Sequence, residues 1–337
     1  MRKKEVNYKL MSHVEVEHAP IEYCFSYASP LLSLGSCFSE AIGRRLNSIG
    51  YDIAINPFGT LYNPLSISKG LELMMDDLFL FGEEDIIQVG NSYVSLMHHS
   101  KYSSPSPTEL LERINQELLL GRKYLRKSSH ILLTLGSSFV YRERQSGKVV
   151  ANCHRLPPSQ FDCELASLDL LQEHFSKAIR KLLTINPDAT VLLTVSPIRY
   201  LGYGPHNSQL SKARLHLLIE QLVATYPSHL FYFPAYEIQL DELRDYRFYA
   251  EDLVHPSPLA EEIIFDRFID SWASPSEKEI RLLMRKLQTM LNHKTSTQEA
   301  SFLHKKQIEQ WVASHKKAFP DTLLQRIDQF IDFRFSL

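Results

Sequence analysis

The chain has 337 residues, 44% hydrophobic and 23% charged, with a formal net charge of -2. That balance excludes a disordered chain and allows one large α/β domain plus an extension. It supplies no basic field for nucleic acid or an anionic membrane, so neither is an expected partner.

No apolar run approaches a membrane span, and the basic start Met1–Lys4 is not followed by the apolar core of a signal peptide. Four cysteines, Cys24, Cys37, Cys153 and Cys163, show no CxxC spacing and are too few for a disulfide scaffold. A reducing, cytoplasmic location is expected.

In chain order, the alternation Val14-Glu15-Val16-Glu17 predicts an edge strand, and Leu31–Leu34 a first buried strand that stops at Gly35. Phe38, Ile42, Leu46 and Ile49 recur at helical spacing, and Gly50 ends that helix. Ser36 and Cys37 then fall at a helix N-terminus. Free N–H groups and the helix dipole favour a thiolate there and an oxyanion beside it. The other reading makes Ser36 an N-cap and Cys37 a small buried hydrophobe.

A strand over 51–56 leads to Asn56–Pro64, whose two Asn-Pro pairs and Gly59 predict a loop of fixed conformation. A helix over 66–80, a hairpin over 86–96 turning at Gly90-Asn91, a polar loop holding His98-His99-Ser100 and a helix over 108–127 come next. Strand 131–135 ends in Gly136-Ser137-Ser138, a near copy of the first strand's ending. A hairpin across 145–148 leads to Asn152-Cys153-His154 and the loop Pro157-Pro158.

The chain continues with a helix over 167–186, a strand over 191–195, a helix over 208–226 and a strand over 230–233. Ser211-Lys212 reads as a cap and an exposed lysine. Strands alternating with helices call for a doubly wound parallel sheet, whose ligand crevice lies beyond the strands' carboxyl ends. Ser36, Cys37, Gly59, Ser137, Ser138, Ser196 and Arg199 all fall there.

Asp252 and His255 precede a helix over 259–272, and a carboxylate on one imidazole nitrogen leaves the other free to take a proton. Arg199 is a candidate clamp for an anionic substrate, or an ion-pair partner of Asp245. Cys153 and His154 find no third ligand at metal spacing, so neither metal nor cofactor is expected. Residues 1–275 make the α/β domain. Helices over 277–291, 301–317 and 320–335 make a C-terminal extension, 276–337, with apolar positions at Leu282, Leu283, Leu287, Leu291, Ile308, Trp311 and Val312 for packing on the domain's flank or for self-association.

Gly35-Ser36-Cys37-Phe38, Asn56-Pro57-Phe58-Gly59, Ser196-Pro197-Ile198-Arg199, Leu243-Arg244-Asp245-Tyr246-Arg247 and Asp252-Leu253-Val254-His255-Pro256 together resemble the GSCFA family, a group within the SGNH/GDSL hydrolase-like superfamily. The resemblance runs from about Leu32 to about Trp272 and implies a flavodoxin-like, three-layer α/β/α fold with acyl-ester chemistry.

By that resemblance Cys37 corresponds to the nucleophile, with Ser36 as its rival, Asp252 and His255 to the distal pair, and Gly59 to an oxyanion N–H donor. Where the superfamily has Gly-x-Asn-Asp, this chain has Gly136-Ser137-Ser138-Phe139, so Ser138 stands in for the oxyanion asparagine. Asn63, His99, Asn152 and His154 belong to family-like motifs and, with Arg199, are the expected substrate-binding residues. The implied activity is an esterase, acyl hydrolase or acyltransferase acting on a small-molecule or carbohydrate acyl ester, acetyl esters included. The alternative is a catalytically weak ligand-binding protein that keeps the crevice.

Overall fold

Five short apolar runs form the centre of the molecule because each is apolar on both faces and needs cover on both sides. In the computed structural model, which describes residues 13–336, they are β1 (Leu31–Gly35), β2 (Ile53–Ile55), β5 (His130–Leu135), β9 (Thr190–Val195) and β10 (Leu230–Tyr232). They pair in the order β10-β9-β5-β1-β2, every pair parallel. Leu31 lies opposite both Ile53 and His130, and Gly35 opposite Thr134. The expected doubly wound three-layer sheet is what forms. Met1–Lys4 lies outside the described residues.

Alternate strand residues feed two cores, as the pleat requires. Leu32, Leu34, Leu133 and Leu193 face α2 (Pro64–Met75), α3 (Pro107–Lys127), α4 (Leu168–Ile185) and α5 (Pro205–Thr225). Leu31, Leu132 and Leu192 face α1 (Cys37–Ser48) and α7 (Pro258–Trp272), joined there by Ala235 of the one-turn α6 (Ala235–Glu237). The C-terminal helices α8 (Lys278–Asn292), α9 (Gln298–His315) and α10 (Asp321–Phe335) extend this second core through Met284, Leu287, Ile308, Val312, Leu323 and Ile327. Arg326 donates to the Tyr27 carbonyl at 2.9 Å, and a Cβ on Gly50 would stand 2.5 Å from Leu323 Cδ1. Leu282, expected on the apolar stripe, is 60% exposed.

Three elements differ from expectation. Residues 14–17 form no strand, because β2 and β10 are the sheet edges and neither meets this segment. Val14 and Val16 pack on the second core instead, and the Val14 N–H donates to Glu242 Oε2 at 2.9 Å. Helix α2 begins early, at Pro64, because Asn63 Oδ1 accepts from the Ser66 N–H at 2.8 Å and proline suits the first helical position. It stops at Met75, where Asp76 turns the chain through its carboxylate to the Leu78 N–H at 3.1 Å.

The third difference is an unexpected strand, β8 (Phe161–Leu165), which joins β6 (Phe139–Glu143) and β7 (Val149–Val150) in an antiparallel sheet of order β7-β6-β8. The expected hairpin, β3 (Ile87–Val89) with β4 (Ser92–Val94), turns at Gly90-Asn91. Among the described residues no helix is long and apolar enough to cross a membrane.

Candidate active site

The chain leaves β1 toward β2 on one side and reaches β5 on the other, so the carboxyl ends of β1 and β5 part at a topological switch point. A cleft of about 520 Å³ opens there. Its floor is Ser36, Cys37, Gly136 and Ser196.

The Asn56–Pro64 loop is tied to both strand ends. The Leu61 N–H donates to the Gly35 carbonyl at 2.9 Å, and the Tyr62 carbonyl accepts from the Gly136 and Ser137 N–H groups, both at 2.8 Å. Asn56 takes the left-handed conformation, φ 45°, that this path demands. Tyr62 and Asn63 are thereby set on the cleft wall. With Asn63 Oδ1 engaged as the α2 cap, its amide Nδ2 is the donor left for the cleft.

His255 lines the same cleft. Asp252 shapes the turn before it by accepting the Val254 and His255 N–H groups at 2.9 Å each, and Leu253 adopts φ 56° to allow this. The second carboxylate oxygen meets His255 Nδ1 at 2.6 Å. Those backbone donors, then the imidazole, hold Asp252 down at about 2. Nδ1 is thus fixed as the donor and Nε2 is the nitrogen left for a substrate. No hydrogen bond joins Cys37 Sγ to His255 among the described residues, and half of each partner of the Asp–His pair is exposed to water.

A family model described as the GSCFA family matches residues 30–268, well over half the chain. The chain belongs to the GSCFA family. The match contains every cleft residue and stops inside α7, before the C-terminal helices. No curated protein matches the chain.

Within this GSCFA chain the expected site residues separate into two groups. Ser36, Cys37, Asn63, His99, Asn152 and His255 line the cleft, with Asp252 behind His255. His99 Nδ1 accepts from the Lys101 N–H at 3.2 Å, which leaves Nε2 for the cleft, and burial, then the Lys101 charge, lowers its basicity. The remaining residues do not reach it. Ser138 is fully buried, with its N–H on Ser211 Oγ at 2.8 Å and its hydroxyl on the Ser211 carbonyl at 3.0 Å.

Ser137 takes the cleft-facing place instead. The Gly59 N–H is engaged by the Asn56 carbonyl at 2.7 Å, and the glycine, at φ 73°, is needed because a Cβ would stand 2.3 Å from His99 Cβ. Neither expected oxyanion donor faces the cleft. His154 turns away to hydrogen-bond the Ser95 carbonyl at 2.8 Å. Arg199 lies off the cleft wall, and the ion pair with Asp245 does not form, since Asp245 binds Arg247 at 3.2 Å.

The expected thiolate is also corrected. Burial pushes the Cys37 thiol up, outweighing the Phe38 and Cys37 N–H groups that favour its anion. Helix geometry supplies the donors, but desolvation is the larger effect. Ser36, 1% exposed, holds the N-cap position without capping: its hydroxyl has no hydrogen-bond partner among the described residues.

Two features of the site went unread in the sequence. One is an aromatic wall in which Phe139 and Tyr203 stack at 3.8 Å between ring centres, Tyr200 meets Tyr203 edge-on at 5.2 Å, and Tyr141 shares a hydroxyl contact with Tyr203 at 3.0 Å. Alternating aromatics in β6 were its available signal. The other is Lys212, read as exposed and in fact 3% exposed, bonded to the Gly136 and Ser196 carbonyls of the cleft floor at 2.7 and 2.8 Å. Its signal was register, because Lys212 falls on the stripe Ser208, Leu215, Ile219, Leu222 that α5 buries.

Proposed function

We propose that this GSCFA protein is an SGNH-like acyl hydrolase or acyltransferase that uses Cys37 as nucleophile. One observation carries the reading: Cys37 and an imidazole oriented by Asp252 share a single cleft at the switch point of the sheet. The strand order and the Asp-x-x-His turn before α7 support the superfamily assignment.

In this reading Cys37 Sγ attacks the acyl carbonyl while His255 Nε2 takes the thiol proton and then returns it to the leaving alkoxide. Asp252 stabilises the imidazolium between the two steps. Because the thiol is protonated near neutrality, proton removal accompanies attack and requires His255 to close on the filled cleft. The Asn63 amide and the N-terminal N–H groups of α1 receive the oxyanion, in place of Ser138 and Gly59. Water or an acceptor hydroxyl then releases the acyl group from sulfur.

The stacked Phe139–Tyr203 pair, with Tyr62 45% and Tyr200 57% exposed at the rim, supports a sugar ring on the alcohol side of the ester. A catalytically weak ligand-binding protein is the second reading, favoured by the raised Cys37 thiol and by the two donors turned away.

Purified protein assayed on acyl esters of graded chain length and on acetylated sugars separates the two. The first reading predicts turnover that falls about 100-fold or more in Cys37→Ala and in His255→Ala. Sugar-induced thermal stabilisation without turnover of any ester would replace it with the second.

A further inference from the structure

Helix α5 carries a cation in the stripe it turns toward the sheet. Lys212 Nζ is held by the Gly136 and Ser196 carbonyls and stands 5.5 Å from the centre of the Tyr236 ring. It forms no ion pair among the described residues. Lysine is almost never buried this fully without a counter-charge, and two carbonyls can be held as well by a neutral amide. Hydrogen bonding therefore explains a donor here but not a cation.

The same two carbonyls belong to residues of the cleft floor, next to Ser36 and Cys37. Gly136 packs so closely that an added Cβ would stand 3.3 Å from Ser36 Cβ. Two hydroxyls beside it, Ser36 Oγ and Ser196 Oγ, are buried with no hydrogen-bond partner among the described residues.

We propose that Lys212 is the buried counter-charge of Cys37: its ammonium, fixed behind the cleft floor by the Gly136 and Ser196 carbonyls, stabilises the thiolate when the Cys37 proton leaves.

Burial, opposed by the Cys37 charge, leaves Lys212 at about 7, and the Lys212 charge in turn opposes the rise that burial imposes on Cys37. Other groups face them. Glu261 of α7 opposes the thiolate, and the Tyr62 hydroxyl feels the field of Cys37 and Glu40. His216, one turn along α5, feels the Lys212 charge, and Tyr236 lies against the ammonium. Lys212 acts through Cys37 and is a positioning residue. The inference rests on Cys37 as the nucleophile of the cleft and is read without any ester, so its failure is separate from failure of the ester chemistry.

The test is the rate at which iodoacetamide modifies Cys37 in the full-length protein from pH 6 to 10, followed by peptide mass spectrometry. In that reaction the thiol proton goes to solvent, and the thiolate forms a C–S bond and displaces iodide. Lys212→Gln keeps two N–H donors and removes the charge. It should slow Cys37 at least about tenfold at pH 6, where Lys212 carries its proton, while Cys24, Cys153 and Cys163 react as before, and Lys212→Arg should restore the rate.

A folded Lys212→Gln with the wild-type rate and pH midpoint would overturn the proposal and leave Lys212 a clamp between two strand ends. If Lys212→Gln does not fold, the reciprocal measurement decides. Cys37→Ser must lower the Lys212 titration midpoint followed by NMR of labelled lysine side chains, and an unchanged midpoint overturns the proposal.

Discussion

Two strands of the sheet end almost identically, Leu34-Gly35-Ser36-Cys37-Phe38 after β1 and Leu135-Gly136-Ser137-Ser138-Phe139 after β5, yet the chain does opposite things with them. After β1 it enters α1 and delivers Ser36 and Cys37 to the cleft. After β5 it enters β6, turns Ser137 to the cleft and buries Ser138 against Ser211.

The residues downstream of each glycine decide the difference. Phe38, Ile42 and Leu46 have helical period, whereas Phe139, Val140 and Tyr141 continue as an extended run that pairs with β7 and β8. A short motif therefore reports a strand end, while the periodicity beyond it reports which side chain reaches the crevice.

The sharpest way to break the comparison is at the two glycines. Gly35, at φ 143°, would place a Cβ 2.3 Å from the Thr134 carbonyl oxygen, while Gly136 would meet the Tyr62 carbonyl oxygen at 3.0 Å without needing a positive φ. Gly35→Ala should cost about 3 kcal/mol or more and Gly136→Ala about 1 kcal/mol, read from urea unfolding. Equal costs would mean that the two ends are not built differently.

Next in size is the oxyanion donor. Asn63→Ser keeps an N-cap for α2 but removes the amide, so turnover of an accepted ester should fall about 100-fold with little change in melting temperature. Undiminished turnover would return the donor's role to the β5 end. At that end the opposite result is expected. Ser138→Asn must fit a larger side chain into the contact with Ser211, so it should cost about 2 kcal/mol in stability and bring no gain in turnover. A faster enzyme would show that Ser138 faces the developing charge after all.

The smallest effects are in pH dependence. Lys212 braces the β5 end, and burial holds it at about 7 against its ordinary 10.5. The unfolded chain therefore binds the extra proton between those values, and stability should rise with pH across that window. Lys212→Met should lose that rise, measured as urea midpoints at pH 7 and 9. Asp252, held at about 2, stays ionised far below neutrality, so an acid limb in an ester-hydrolysis profile should not report its protonation.

Most of the fold was legible because its strands and helices carry clear periods, from Leu31–Leu34 through the stripe of α4. The misses have separate physical causes. β8 was passed over because Asp162, Cys163 and Glu164 face solvent and carry no apolar alternation. Val14-Glu15-Val16-Glu17 has a strand's alternation but finds no edge to pair with.

That Cys37 and His255 share one cleft, with Asp252 behind the imidazole, was legible from motif position. Ser138 was misplaced because the β1 and β5 ends look alike locally. The Cys37 thiol was misjudged because its burial depends on neighbours distant in sequence, and Lys212 because residue type outweighed helical register.

In the proposed chemistry the β1 end, through Cys37, forms the covalent bond to substrate. Reacting the protein with an activated acyl ester, quenching in acid and mapping the acylated peptide tests this directly. One acyl group is expected on Cys37, absent from Cys37→Ala and retained in Ser36→Ala. Acyl transfer to Ser36 or Ser137, or stoichiometric labelling unchanged in Cys37→Ala, would contradict it.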